Sequence, residues 1–191
     1  MNHPAPHTGH PLRCDPYITR TLEVALTGII GRPRTLSMEW SFGDDWSQTA
    51  ATAGLVDVAC LLLDSEPTAV YALATETGGP PIVKINLLVA NGGIASLEAA
   101  WEHDRVPTQR HFHLIGTDGE ILHRLEGENV LWSDQARGPI PRPDDLAALR
   151  ARESVAGANA DEARMDAISH AVTQSLTSGE LVRITEEGSG S

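Results

Sequence analysis

Between Thr35 and Phe42 apolar and polar residues alternate without a break, with Leu36, Met38, Trp40 and Phe42 on one side and Thr35, Ser37, Glu39 and Ser41 on the other. A period of two belongs to a strand with one face in a core. Upstream the period changes. Ile18, Leu22, Ala25 and Leu26 share one helical face between Pro16 and Gly28, with Asp15 placed to cap the helix and Gly28 to stop it. Downstream, Gly43, Asp44 and Asp45 turn the chain into a second helix, Thr49 to Leu63, that is apolar on nearly every face except at Asp57. A helix of that kind is expected to be buried. Strand-like runs follow at 68–75, 82–90, 94–103 and 110–115, punctuated by Gly78-Gly79-Pro80 and Asn91-Gly92-Gly93. Asp118-Gly119 closes another hairpin, leading into 120–125 and 129–132. Successive hairpins predict a largely antiparallel sheet. Matching apolar faces sets Val83, Ile85, Leu87 and Val89 against Ala95, Leu97, Ala99 and Trp101, and puts Trp101 beside Phe112.

Residues 135–158, rich in Pro, Arg and Ala, read as an excursion from the sheet with a short helix at 144–152. Asn159 and Glu162 stand at capping-box spacing before Met165, Ile168, Val172 and Leu176, Gly179 closes that helix, and 181–184 form a last short strand. The expected organisation is a flexible leader over 1–14, a single domain over 15–185 and a flexible tail over 186–191. The fold class is α+β, one largely antiparallel or mixed sheet with helices packed on one face.

Composition narrows the partners. A chain of 191 residues with 41% apolar content can bury one substantial core and leaves little for a second. A formal charge of −12 repels a phosphate backbone, so nucleic acid is not an expected partner. No apolar run approaches the roughly 20 residues that span a bilayer, and the His- and Pro-rich start has no secretory apolar segment. A cytoplasmic protein without a membrane partner is expected. Cys14 and Cys60 lie in unlike settings and read as free thiols. Lys84 is the only lysine. His3, His7 and His10 lie in the leader, where no fixed second shell holds them as metal ligands.

A set of short motifs in fixed order goes further. Ile30-Gly31-Arg32-Pro33-Arg34 follows a helix and precedes the alternating strand; Gly54-Leu55-Val56-Asp57 leads through Leu63 to Glu66-Pro67 and Val70-Tyr71-Ala72; then come Asn91-Gly92 through Ala95, Gly116-Thr117-Asp118-Gly119, and the helix closed by Gly179. In this order, over residues 16–184, the chain resembles the C-terminal substrate and oligomerisation domain of the Gfo/Idh/MocA (glucose-fructose oxidoreductase/inositol dehydrogenase-like) oxidoreductases. The resemblance implies that family's α+β domain and a homodimer or higher homo-oligomer formed through the sheet. It also marks departures. A histidine normally stands three residues before the aspartate, where this chain has Gly54; no G-x-G-x-x-G is present; and the Glu-Lys-Pro segment with the family's catalytic lysine is missing. The resemblance therefore implies a Rossmann-less chain with no NAD(P) or other cofactor, not a nicotinamide-dependent dehydrogenase on its own. A separate Rossmann-type chain is a further candidate partner.

Candidate chemistry lies on the polar side of the strands. Lys84, Asn86, Glu98, Glu102, His111 and His113 share that face, a set able to do acid–base work if enclosed and an ordinary wet or subunit-covered surface if not. Glu98, His111 and His113 are the catalytic candidates there, with Lys84, Asn86 and Glu102 as ligand contacts. His111-x-His113 also presents two imidazoles on one side, but no third ligand is placed by sequence and no metal is assigned. Asp57, a carboxylate in an apolar helix, needs a partner or a task, either as a tether between helix and sheet or as a fourth catalytic group. Trp40, Trp46 and Trp101 either line a cavity, with Trp101 as a ligand contact, or fill the core. Two functions fit: a small-molecule-binding, cofactor-independent biosynthetic enzyme of isomerase, cyclase or lyase type, or a non-catalytic accessory or oligomerisation subunit.

Overall fold

The computed structural model describes residues 11–43, 46–75, 81–101, 110–124, 130–133, 137–139 and 162–184. A 3-10 turn, Pro11–Cys14, leads into α1 (Pro16–Leu26), β1 (Pro33–Phe42) and α2 (Gln48–Leu63). Seven strands follow, β2 (Pro67–Ala74), β3 (Ile82–Val89), β4 (Ile94–Trp101), β5 (Arg110–Gly116), β6 (Gly119–Arg124), β7 (Val130–Ser133) and β8 (Arg137–Pro139). The chain then forms α3 (Glu162–Ser178) and β9 (Val182–Arg183).

Among the described residues nine strands join one sheet in the order β8-β7-β6-β5-β1-β4-β3-β2-β9. Every pairing is antiparallel except β1 with β4, which run parallel. The expected α+β class with one mixed sheet is therefore what the chain adopts. The apolar residues of β3 and β4 share a face as expected, with Val83 opposite Ala99, Ile85 opposite Leu97 and Leu87 opposite Ala95, while Val89 and Trp101 lie beyond the paired stretch. Trp101, however, does not sit beside Phe112. β1 lies between their strands, so Trp101 pairs with Phe42 and Phe112 with Met38. Hairpin logic pairs strands that follow one another, whereas here the chain crosses over β1 to start β5.

One side of the sheet is closed by helices. Leu36, Met38, Val83, Ile85, Leu87, Leu97, Phe112 and Leu114 are buried beneath α2 and its neighbours. Each such side chain contributes about 1.5–3 kcal/mol over its exposed state. α2 is apolar all round because it is enclosed: it meets β1, β3 and β4 below, and α1, α3 and the Pro11–Cys14 turn around its other sides. Ser47 caps it, accepting from the Ala50 amide at 3.1 Å, and Asp64 ends it in the left-handed region at φ 49°. As expected, the Asp15 side chain accepts from the first turn of α1, at Ile18 N.

Residues 11–14, expected in the leader, form an ordered turn. Leu12 is 6% exposed and belongs to the core, because Gly54 leaves room for it on α2. The capping role of Asn159, the turns at 44–45 and 78–80, the helix at 144–152, residues 1–10 and the tail lie outside the described residues.

Two joints hold the layers in register. Asn91 donates to Leu63 O at 2.9 Å, accepts from Gly93 N at 2.8 Å, and through its own amide reaches Ser65 Oγ at 3.0 Å. The β3–β4 turn, with Gly92 at φ +81°, is thereby fastened to the end of α2. At the other end, Gly116 lets β5 approach the loop before β1 so closely that a Cβ would lie 2.0 Å from Ile30 O.

Candidate functional site

The side of the sheet away from the helices carries three rows of side chains across the central strands. The first runs Leu73, Lys84, Glu98, Glu39, His111, Arg124 from β2 to β6. The second runs Tyr71, Asn86, Ser96, Ser37, His113, Leu122. The third runs Arg183, Ala69, Leu88, Ile94, Thr35, Ile115, Glu120. Lys84, Asn86, Glu98, His111 and His113 thus share one face as the alternation predicts. Glu102 lies outside the described residues.

Pairing among the charges is local. Lys84 Nζ lies 3.0 Å from Glu98 Oε2, with the lysine 65% exposed, and such a pair adds about 1 kcal/mol or less. His113 Nε2 lies 2.6 Å from Glu120 Oε2. His111 sits between Glu39 of β1 and Arg124 of β6. Burial holds its imidazole below the ordinary 6.5; Glu39 pulls the other way, while Arg124 and His113 reinforce the depression. Glu39 and Glu98 stand side by side on the two parallel strands. Sequence reading put Glu39 on the polar side but did not name it as a site residue. Its place at the centre of the row depends on β1 lying between β4 and β5.

Trp101 does not belong to this face. It is 5% exposed, stacks on Phe42 with ring centroids 5.8 Å apart, and donates from Nε1 to Trp46 O at 3.1 Å. Trp40 is buried as well, with the Arg110 guanidinium 5.2 Å from its ring centre. These aromatics pack in the core, the second of the two roles the sequence leaves open for them.

Asp57 lies on the opposite side of the sheet, so it does not join Glu98, His111 and His113 in one site. Its side chain is 1% exposed and receives a forked pair of bonds, Arg13 Nε to Oδ2 and Arg13 Nη2 to Oδ1, both at 2.5 Å. Arg164 Nη1 approaches Oδ1 at 3.4 Å, while its Nε lies 2.7 Å from Glu66 Oε2. The tether expected of Asp57 exists, but it binds the N-terminal turn and α3 to α2 rather than helix to sheet. No sequence signal linked residues 44 and 107 positions away. One turn further along α2, burial pushes the Cys60 thiol up to about 12 against the opposing pull of Arg164. Among the described residues no group of three or more His, Cys, Asp or Glu side chains is placed to hold a metal. Gly54, one turn before Asp57, faces Leu12: a Cβ there would lie 3.0 Å from Leu12 Cδ1. The position where the resemblance expects a histidine is covered by the Pro11–Cys14 turn.

No protein-family profile matches the sequence, and no curated protein matches it. Solved structures do match in shape. A Thermotoga maritima protein assigned as an oxidoreductase superposes with a TM-score of 0.69 at 13% identity, over 91% of this chain and 62% of its own. Levoglucosan dehydrogenase in complex with NADH and levoglucosan gives 0.66 at 19% identity, over 93% and 65%. An NAD binding oxidoreductase from Klebsiella pneumoniae gives 0.66 at 14% identity, over 93% and 66%. The chain therefore spans less than two thirds of the length of these proteins. At such identities the likeness is one of fold. Among the described residues no helix is long and apolar enough to cross a membrane. The single mixed sheet with its helices on one face is the fold of the C-terminal domain of Gfo/Idh/MocA oxidoreductases.

Proposed function

We propose that this chain is an assembly module, a substrate-side domain that binds a second copy of itself through the open sheet face and works without a nicotinamide of its own. The observation that carries this is the third row. Leu88 and Ile94 on the adjacent β3 and β4, and Ile115 on β5 across Thr35 of β1, are 44%, 49% and 36% exposed, on the same face as charges already paired among themselves. Exposed apolar side chains grouped in this way mark a surface that gains by being covered. Charge supports a second copy as the cover. The chain carries −12 overall, so two copies repel over most of their surface. On the open face, Lys84, Arg124 and Arg183 balance Glu39, Glu98 and Glu120. A two-fold contact requires a patch complementary to itself, and a patch of both signs around an apolar row meets that need.

Light scattering and sedimentation of the purified chain test this. A dimer or larger assembly is expected, reduced to the single chain by Ile94→Asp with an unchanged circular dichroism spectrum. A wild-type chain that sediments alone overturns the reading. Calorimetric titration with NAD and NADP is expected to give no binding heat, and saturable binding of either removes the nucleotide-free part.

A second reading has its own support, the adjacency of Glu39 and Glu98 with His111 on the far flank of Glu39. An imidazole beside a carboxylate is suited to moving a proton on a small ligand without a cofactor. Solvent deuterium entering the activated C–H of a small hydroxy ketone, lost in both Glu98→Gln and His111→Gln, is the expected result. No exchange by the wild type across a broad panel would dismiss it.

A further inference from the structure

We propose that the open sheet face is an acid-released interface, in which copies of the chain stay together while His111 is neutral and separate when it takes a proton. This rests on the assembly reading of the same face. Every group around His111 is accounted for among the described residues. Glu39 faces it from β1, Arg124 from β6 and His113 from its own strand, with Glu98 and Lys84 beyond Glu39 and Glu120 held by His113. Of these, His111 belongs to the charged row itself, next to Glu39 at its centre, and the row of Ser37 and His113 lies between it and Thr35 and Ile115 of the apolar row. A second copy seated across the whole open face, over both rows, also takes water from His111.

The geometry separates the two histidines of the strand. His113 already has a partner within the same chain, the Glu120 carboxylate at 2.6 Å. His111 has a cation, Arg124, on one flank and a carboxylate, Glu39, on the other. Glu39 is in turn shouldered by Glu98, which is drawn toward Lys84. A proton on His111 therefore lands beside Arg124, and in an assembly it lands where water is scarce. Loss of solvation already weakens the imidazole's hold on a proton in the single chain, and covering the face extends that loss.

The sign follows from linkage. The neutral form of His111 is favoured more strongly in the assembly than in the free chain, so the free chain binds more protons. Association is at full strength above the free chain's titration and weakens as the pH falls through it. Each copy brings one His111 to a two-fold contact, which steepens the response.

The test measures the dissociation constant by sedimentation at about pH 7.5 and about pH 5.5, the range over which an imidazole changes charge. The constants are compared for the wild type, His111→Gln and His113→Gln, with circular dichroism recorded at both pH values. For the wild type the constant is expected to rise by at least about tenfold on acidification with the fold intact. His111→Gln is expected to hold the same constant at both pH values, and His113→Gln to keep the wild-type response. A wild-type assembly equally tight at both pH values overturns the inference and leaves the assembly reading standing. So does a response that survives His111→Gln, or one that coincides with unfolding. A wild type that is a single chain at both pH values overturns the assembly reading and this inference with it.

Discussion

At the scale of single residues, the most constrained group is Asp57. A buried carboxylate is tolerated only with its oxygens occupied, and Arg13 supplies both bonds while Arg164 approaches from the other side. Removing the partner of a buried charge leaves that charge uncompensated. Asp57→Ala and Arg13→Ala are therefore each expected to destabilise the fold by about 3–5 kcal/mol in urea unfolding. An effect below about 1 kcal/mol in both would mean that the fork is not what holds the Pro11–Cys14 turn. Cys60 makes a second prediction at this scale. A thiol pushed up to about 12 is protonated at neutral pH and is shut inside the core. Iodoacetamide followed by peptide mass spectrometry is expected to leave Cys60 unlabelled in the native chain and to label it in denaturant. Rapid native labelling would show that α2 opens readily. Asp57 was legible in the sequence as a residue needing a partner, because an acid in an apolar helix is conspicuous. Its partner was not, because the arginines come from opposite ends of the chain.

At the scale of elements, what matters is how strands and helices close each other's open hydrogen bonds. β9 pairs with β2 only at Ala69 and Val70. Beyond that point the β2 edge is covered by α3: the buried Ser175 hydroxyl accepts from Ala72 N at 2.9 Å and donates to Glu180 O at 2.6 Å. One side chain thereby satisfies a strand edge and the end of a helix. Ser175→Ala leaves the Ala72 amide buried without its acceptor, and a loss of about 1–3 kcal/mol is expected from thermal or urea unfolding. An unchanged midpoint would mean that water replaces the hydroxyl. The elements themselves were largely readable. α1, β1, α2 and the β3–β4 hairpin start and stop within a residue or two of the positions that periodicity, Asp15 and the Asn91-Gly92 turn indicate. The Pro11–Cys14 turn was not readable, because its order comes from contacts with α2 and not from its own composition.

At the scale of the whole molecule, the sheet divides the chemistry into two sides. The helix-facing side carries the core and the Asp57 fork, and the open side carries the titratable rows. No single site gathers Asp57 with Glu98, His111 and His113. An apolar row bordered by balanced charge is expected to associate, and Ile94→Asp and the His111 series probe that expectation from two directions.

Alternation alone determined which residues look toward the core and which away, because a strand's side chains change side at every step whatever its neighbours are. Helix and turn punctuation likewise determined most boundaries, and the unbroken apolar surface of α2 announced its burial. Only the tertiary structure decided which polar residues became neighbours. Placing β1 between β4 and β5 sets Glu39 beside Glu98 and His111 and separates Trp101 from Phe112. Strand order is settled by packing over the whole sheet and by a parallel crossover, and neither leaves a local mark in the chain. The fork on Asp57 has the same origin. The acid's need for a partner is local, whereas the partner's identity depends on which distant segments the folded core brings to it.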